Sequence, residues 1–186
     1  MSQALAKRAF TVSEYNRMAE VGILKQTDRV ELIDGEIIQM SPIGSRHAAC
    51  INRLNTILHQ EAKENFIISV QNPLIVDDYC EPEPDLALLR LRPDFYEHGH
   101  PQSGDVLLVI EVADSTVDFD RTVKIPIYAR NGIPLTLLVN LPSEVVELHA
   151  DPAGPRYRLV KNFARGQSVS LPTKPEITFR VNDILG

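Results

Sequence analysis

Asp85 follows Pro84, Glu111 lies within Ile110-Glu111-Val112, and Lys124 comes thirteen residues later. Two acids and a lysine are the residue types that metal-assisted hydrolysis uses. The acids sit in stretches that read as strands: Glu-Pro-Asp-Leu-Ala-Leu-Leu at 83–89 and Val-Leu-Leu-Val-Ile-Glu-Val at 106–112. Both are short, apolar and bounded by turn residues. Between them Pro93, Gly99, Pro101 and Gly104 let the chain turn back. In one antiparallel register Asp85 stands opposite Glu111, with Cβ atoms roughly 5 Å apart. Two carboxylates so close repel each other, and a divalent cation is the simplest partner for both. Mg2+ is held by one or two carboxylates, keeps several waters and accepts phosphate oxygens as further ligands; Mn2+ could stand in for it. Such an ion acidifies a bound water and polarises a phosphoryl oxygen, which suits phosphodiester hydrolysis. A helix returning from the second strand brings Lys124 near both acids. There an ammonium group can orient the water or offset charge growing in the transition state.

Each residue also has a plainer role. Asp85 can cap a strand, and Glu111 can pair with an arginine. Asp120 and Lys124, four apart, can form a surface ion pair of a few tenths of a kcal/mol. Glu31 lies in a half-exposed strand, on the face opposite Val30 and Leu32, where a glutamate ordinarily meets solvent. Arg46 and His47 fall in the first turn of a helix, whose free N–H groups favour anions. They are candidate phosphate contacts, although His47 alone is more often a surface or capping residue.

These residues must be positioned by the elements around them. Thr11 with Glu14 has the capping-box spacing and predicts a helix over about 12–21, stopped by Gly22, with Tyr15, Met18 and Ala19 on its apolar face. Asp34-Gly35 predicts a tight hairpin over 29–40. Ile51, Leu54, Ile57 and Leu58 recur at helical spacing within an expected helix from Ser45 to about Asn65. Residues 66–71 and 74–76 read as a strand interrupted by Pro73. The helix carrying Lys124 is expected to start near Thr122 or to kink at Pro126, because proline breaks a helix interior. Strands at 134–141, 144–149 and 157–161, with a last strand and helical turn over 176–185, complete the chain.

The 186 residues are enough for one domain, 1–186, with a substantial core. No run approaches the ~20 apolar residues of a membrane span, and residues 1–10 lack the apolar segment of a signal peptide, so a cytoplasmic location is expected. Cys50 and Cys80 match no metal-ligand spacing and read as idle thiols. The net charge of −6 weighs against gripping nucleic acid through bulk electrostatics.

The block Glu31-Leu-Ile-Asp-Gly-Glu36, with Met40-Ser-Pro42 and His47, resembles the opening of the Uma-two family of restriction endonucleases. Pro84-Asp85-Leu86, Ile110-Glu111-Val112, and Asp120 with Lys124, Tyr128 and Gly132 resemble its later motifs. The resemblance runs from about residue 10 to the C-terminus. It implies membership of the PD-(D/E)XK nuclease superfamily and an α/β (α+β) fold: a restriction-endonuclease-like core, a mixed β-sheet flanked by helices. It also implies that Asp85 and Glu111 bind metal, and that Glu31 is a further acid of the site, holding metal or a metal-bound water. The superfamily usually carries a lysine two residues after the glutamate. Here that position is Ala113, so the resemblance passes the role to Lys124. The strand after the lysine helix departs from the family: Leu137-Leu-Val-Asn140 replaces a stretch that often has an aromatic residue and Val-Asp.

The expected function is therefore a metal-dependent endonuclease acting on DNA, with Asp85, Glu111, Glu31 and Lys124 as its working residues. A homodimer would suit a substrate with two strands. Two alternatives stay open: a nucleic-acid-binding module without turnover, and an interaction protein.

Overall fold

The computed structural model describes residues 7–25, 27–62 and 65–186. Helix α1 (Val12–Glu20) opens as its capping box requires: Thr11 Oγ1 accepts from the Glu14 N–H at 3.2 Å, and the Glu14 carboxylate accepts from the Thr11 N–H at 3.0 Å. Tyr15 and Met18 are half-buried, but Ala19 is exposed, so the docking face is narrower than expected. Strands β1 (Val30–Ile33) and β2 (Glu36–Gln39) form the expected hairpin. Asp34 and Gly35 both have positive φ, 50° and 76°, the conformation that a two-residue hairpin turn needs. A side chain at Gly35 would also strike Ala9, whose Cβ lies 2.5 Å from where that new Cβ would fall. Helix α2 spans Ser45–Ala62; its expected continuation through 63–64 lies outside the described residues.

The main sheet is six-stranded, ordered β3 (Ile67–Val70), β4 (Leu86–Leu89), β5 (Val106–Ala113), β6 (Leu135–Asn140), β7 (Val145–Ala153), β8 (Arg156–Ala164). All neighbours are antiparallel except β5 and β6, which run parallel. A parallel pair needs a long crossover, and residues 114–134 provide it. Residues 74–76 form only an isolated bridge, from Ile75 to Gln102, and do not extend β3 past Pro73. Strands β9 (Ser168–Leu171) and β10 (Lys174–Arg180) form a separate ribbon, and α5 (Val181–Leu185) ends the chain.

Side chains alternate between the two faces of β5. Leu108, Ile110 and Val112 pack with Cys50, Ile51, Leu54 and Leu58 of α2, and with Phe179 and Ile184 from the C-terminal ribbon and helix. Val109 faces the other way, toward Ile33 of the hairpin and toward Ile127 and Tyr128 of the crossover helix. The sheet is thus covered on both faces, and Glu111 belongs to the face under the hairpin and crossover helix. Asn140, the family departure, accepts from the Ser143 N–H at 3.1 Å and closes the turn after β6. Both cysteines are free and buried.

The crossover helix begins earlier than its proline suggests. It comprises α3 (Val117–Phe119), a π-helical turn (Asp120–Lys124) and α4 (Ile125–Arg130). The Ile125 N–H donates to the Asp120 carbonyl, five residues back. Proline clashes with the carbonyl four residues before it and has no N–H to offer it. A π turn shifts the hydrogen-bond ladder at that point, so the helix continues through Pro126 without starting anew. Such single turns often mark functional sites.

Candidate active site

Residues from β1, α2, the approach to β4, β5 and the crossover helix meet at the carboxyl end of β5. Leu86 pairs with Ile110 and Ala87 with Val109. Continuing that register sets Asp85 opposite Glu111 on one face. Asp85 stays fixed there: its Oδ2 accepts from the Val112 N–H at 2.8 Å and lies 2.9 Å from His47 Nε2, and its Oδ1 accepts from Gln71 at 3.3 Å. Glu111 Oε1 accepts from Tyr128 Oη at 2.5 Å and lies 3.2 Å from Lys124 Nζ. Lys124 also reaches Glu31 Oε2 at 3.0 Å. Asp120, one turn before Lys124, is buried and accepts from Thr116 Oγ1 at 2.7 Å.

Glu31 is only 4% exposed. Strand alternation alone would put it in solvent, but β1 is buried on both sides. Leu32 bridges to Glu81 of the segment leading into β4, and Glu31 turns to the cleft, where it accepts from the Glu83 N–H at 3.2 Å. Asp120 and Lys124 are likewise not a surface pair, since both are buried. His47 lines the cleft, but Arg46 does not. The Arg46 guanidinium donates to the Leu141 carbonyl at 2.7 Å and lies 3.7 Å from Glu144, so its neighbour in the helix turn points elsewhere. Ala113 is buried among Ile125, Ala129 and Leu138 and offers no polar atom.

The charges are unbalanced. Four buried carboxylates, Glu31, Asp85, Glu111 and Asp120, share Lys124 and His47 as counter-charges. Half-buried Glu83 adds another acid. Burial pushes the Glu111 carboxyl upward, against the pull of Lys124. Burial likewise raises Asp120 and Glu83. For Lys124 burial acts downward, but Glu111, Glu31 and Asp120 outweigh it and hold the ammonium protonated well above its ordinary range. The hydrogen bond to Asp85 raises His47.

Among the described residues, no three His, Cys, Asp or Glu side chains converge as a ready-made metal cage. Mg2+ does not need one. It takes hard oxygen ligands, makes do with one or two carboxylates and completes its shell with water. Asp85 and Glu111 would give such an ion its carboxylate oxygens, and the unbalanced negative charge around them fits a divalent ion. Gln71, Thr116 and Glu83 joined the site without a signal in the sequence; Tyr128 had one, its spacing of four from Lys124.

The cleft has a volume of about 440 Å3. Its remaining lining is Arg29, Ile38, Gln39 and Val112, the segment 40–44, and Asp114, Ser115 and Phe119. The profile of the Uma2 family, described as "Putative restriction endonuclease", matches residues 12–182. The chain belongs to this family. No curated protein matches it. Among solved structures it is similar to one described as a "putative nuclease belonging to DUF820" from Anabaena variabilis. The identity is 16% and the TM-score 0.72, with 95% of this chain and 97% of that chain covered. Family and fold are thus of nuclease type. No described helix is long and apolar enough to cross a membrane.

Proposed function

We propose that the cleft hydrolyses phosphodiester bonds of DNA with Mg2+ or Mn2+ held by Asp85 and Glu111. The observation that carries this reading is the burial of four carboxylates around one lysine at the end of β5. An uncompensated cluster of buried acids is costly, and hard-cation binding is the chemistry that gives it a use. When bound, the ion acidifies a water and polarises the scissile phosphoryl group. The protein's own groups do the rest. The Val112 N–H and His47 orient Asp85. Tyr128 holds one oxygen of Glu111. Lys124 stays charged and offsets the negative charge that grows on the phosphate oxygens. Glu31 tethers Lys124 and has an oxygen available for a metal-bound water. Lys124 is too strongly held as ammonium to serve as the base.

A plasmid-relaxation assay with wild type and Glu111→Gln tests this. Wild type should cut in Mg2+ or Mn2+ and stop in EDTA, and Glu111→Gln should not cut. Equal cutting by both proteins would place the chemistry elsewhere. Binding without cutting would make the domain a non-catalytic DNA-binding module. Failure to bind any nucleic acid would leave an interaction protein.

A further inference from the structure

The cleft lining divides by element. Its acids come from β1, the approach to β4, the end of β5 and the π turn. Apart from Val112 of β5, its apolar groups come from β2, the following loop and α3: Ile38, Met40, Pro42, Ile43 and Phe119. Catalysis as proposed above uses none of them. Ile43 is 38% exposed, and Pro42 beside it is exposed too. A cleft of about 440 Å3 is of small-ligand size. It can take a nucleotide.

Among the described residues, the basic side chains that line it are Arg29, His47 and Lys124. Lys124 is engaged by Glu31 and Glu111, and His47 by Asp85. Arg29 and, in part, His47 are left to grip a backbone phosphate. Duplex binders depend on a basic footprint along the backbone, and a chain of net charge −6 with an acidic cleft does not supply one there. The remaining source of affinity is the apolar wall. In a duplex the base faces are hidden by stacking. An unpaired base offers its face to apolar and aromatic side chains, in contacts that do not depend on sequence.

We propose that Ile38, Met40, Pro42, Ile43 and Phe119 receive the base of an unpaired nucleotide, so that single-stranded DNA is bound ahead of duplex. This rests on the nuclease reading above and narrows its substrate. The base lies against the wall while the adjoining phosphate faces Asp85, Glu111 and Lys124.

Fluorescence anisotropy with a labelled short oligothymidylate and a blunt duplex of equal length, both in Ca2+, tests it. The single strand should bind at least about tenfold tighter. Ile43→Asp should weaken single-strand binding about tenfold, because it sets a charge against the base face. Ile43→Trp should act oppositely and tighten single-strand binding by enlarging the stacking surface. Duplex bound as tightly as single strand would overturn the inference and leave the nuclease reading standing. So would single-strand binding indifferent to both substitutions. If neither DNA bound, both readings would be removed.

Discussion

Lys124 is the residue on which the site's charge balance turns. It is buried and within 3.2 Å of two carboxylates. Replacing it with methionine keeps most of the volume but strands Glu31 and Glu111 without a counter-charge. Removing one partner of a buried ion pair typically costs about 3–5 kcal/mol, so Lys124→Met should melt well below wild type in EDTA. Its loss should also lower metal-dependent cleavage by ~10²–10³. A thermal melt and a nuclease assay on the same preparation check both; an unchanged melting temperature would mean that the acids are not held by Lys124. Tyr128→Phe is the milder counterpart. It deletes one buried hydroxyl donor to Glu111, and a hydrogen bond to a charged group contributes about 1.5–3 kcal/mol. The urea midpoint should fall accordingly with an unchanged slope. At this scale much was legible. Asp85 and Glu111 each break an apolar strand, and a turn-rich loop between them leaves few registers. The burial of Glu31 was not legible, because alternation along a strand says which face a residue takes but not whether a hairpin is later laid against another segment. Arg46 misled for a related reason: position in a helix turn does not say where a long side chain ends.

At the scale of elements the π turn deserves its own test, since it sets Asp120 and Lys124 into the cleft. Its other anchor is Arg121, whose guanidinium pairs with Glu147 on β7; one of these contacts, Nε to Oε2, is 3.3 Å. His149 Nε2 lies 3.4 Å from the same Glu147 oxygen. Burial pushes Glu147 upward, but the neighbouring His149 ring and the Arg121 guanidinium outweigh it and bring its pKa down to about 2. The folded form therefore binds fewer protons than the unfolded one across this range. The stabilisation is present above the ordinary 4.5 and is lost as pH falls through about 2. Because the Arg121 side chain is 38% exposed, screening limits the contribution to about 1–2 kcal/mol. Glu147→Gln should lower the melting temperature at pH 7 and lose less stability than wild type on acidification from pH 5 to pH 2. Parallel curves for the two proteins would dismiss the clamp. The hairpin, α1 and α2 were readable because capping, turn and 3.6-residue signals are local. The π turn was not. Pro126 signals a break in hydrogen bonding, and a chain can meet that demand by starting late, kinking or shifting its ladder; only packing of Ile125, Ile127 and Ala129 on the sheet decides among them.

The whole molecule combines a nuclease-type fold with a net charge of −6, and that charge governs how it can meet DNA. Each phosphate neutralised by a basic residue releases counterions, which makes affinity fall with salt. A protein with six to ten such contacts loses about 10³–10⁵ in affinity between 50 mM and 200 mM salt. In this cleft Arg29 and, in part, His47 are the groups left to make them, because Lys124 is already shared by two carboxylates. With about two contacts on a single strand, the slope of log affinity against log salt should be near −1.4, so the same change in salt should cost only about five- to tenfold. Arg29→Gln should flatten that slope by about half, whereas Ile43→Asp should lower affinity at every salt concentration with little change of slope. A steep dependence in wild type would mean that DNA is gripped by basic residues outside the cleft, and that the apolar wall is not what holds the substrate.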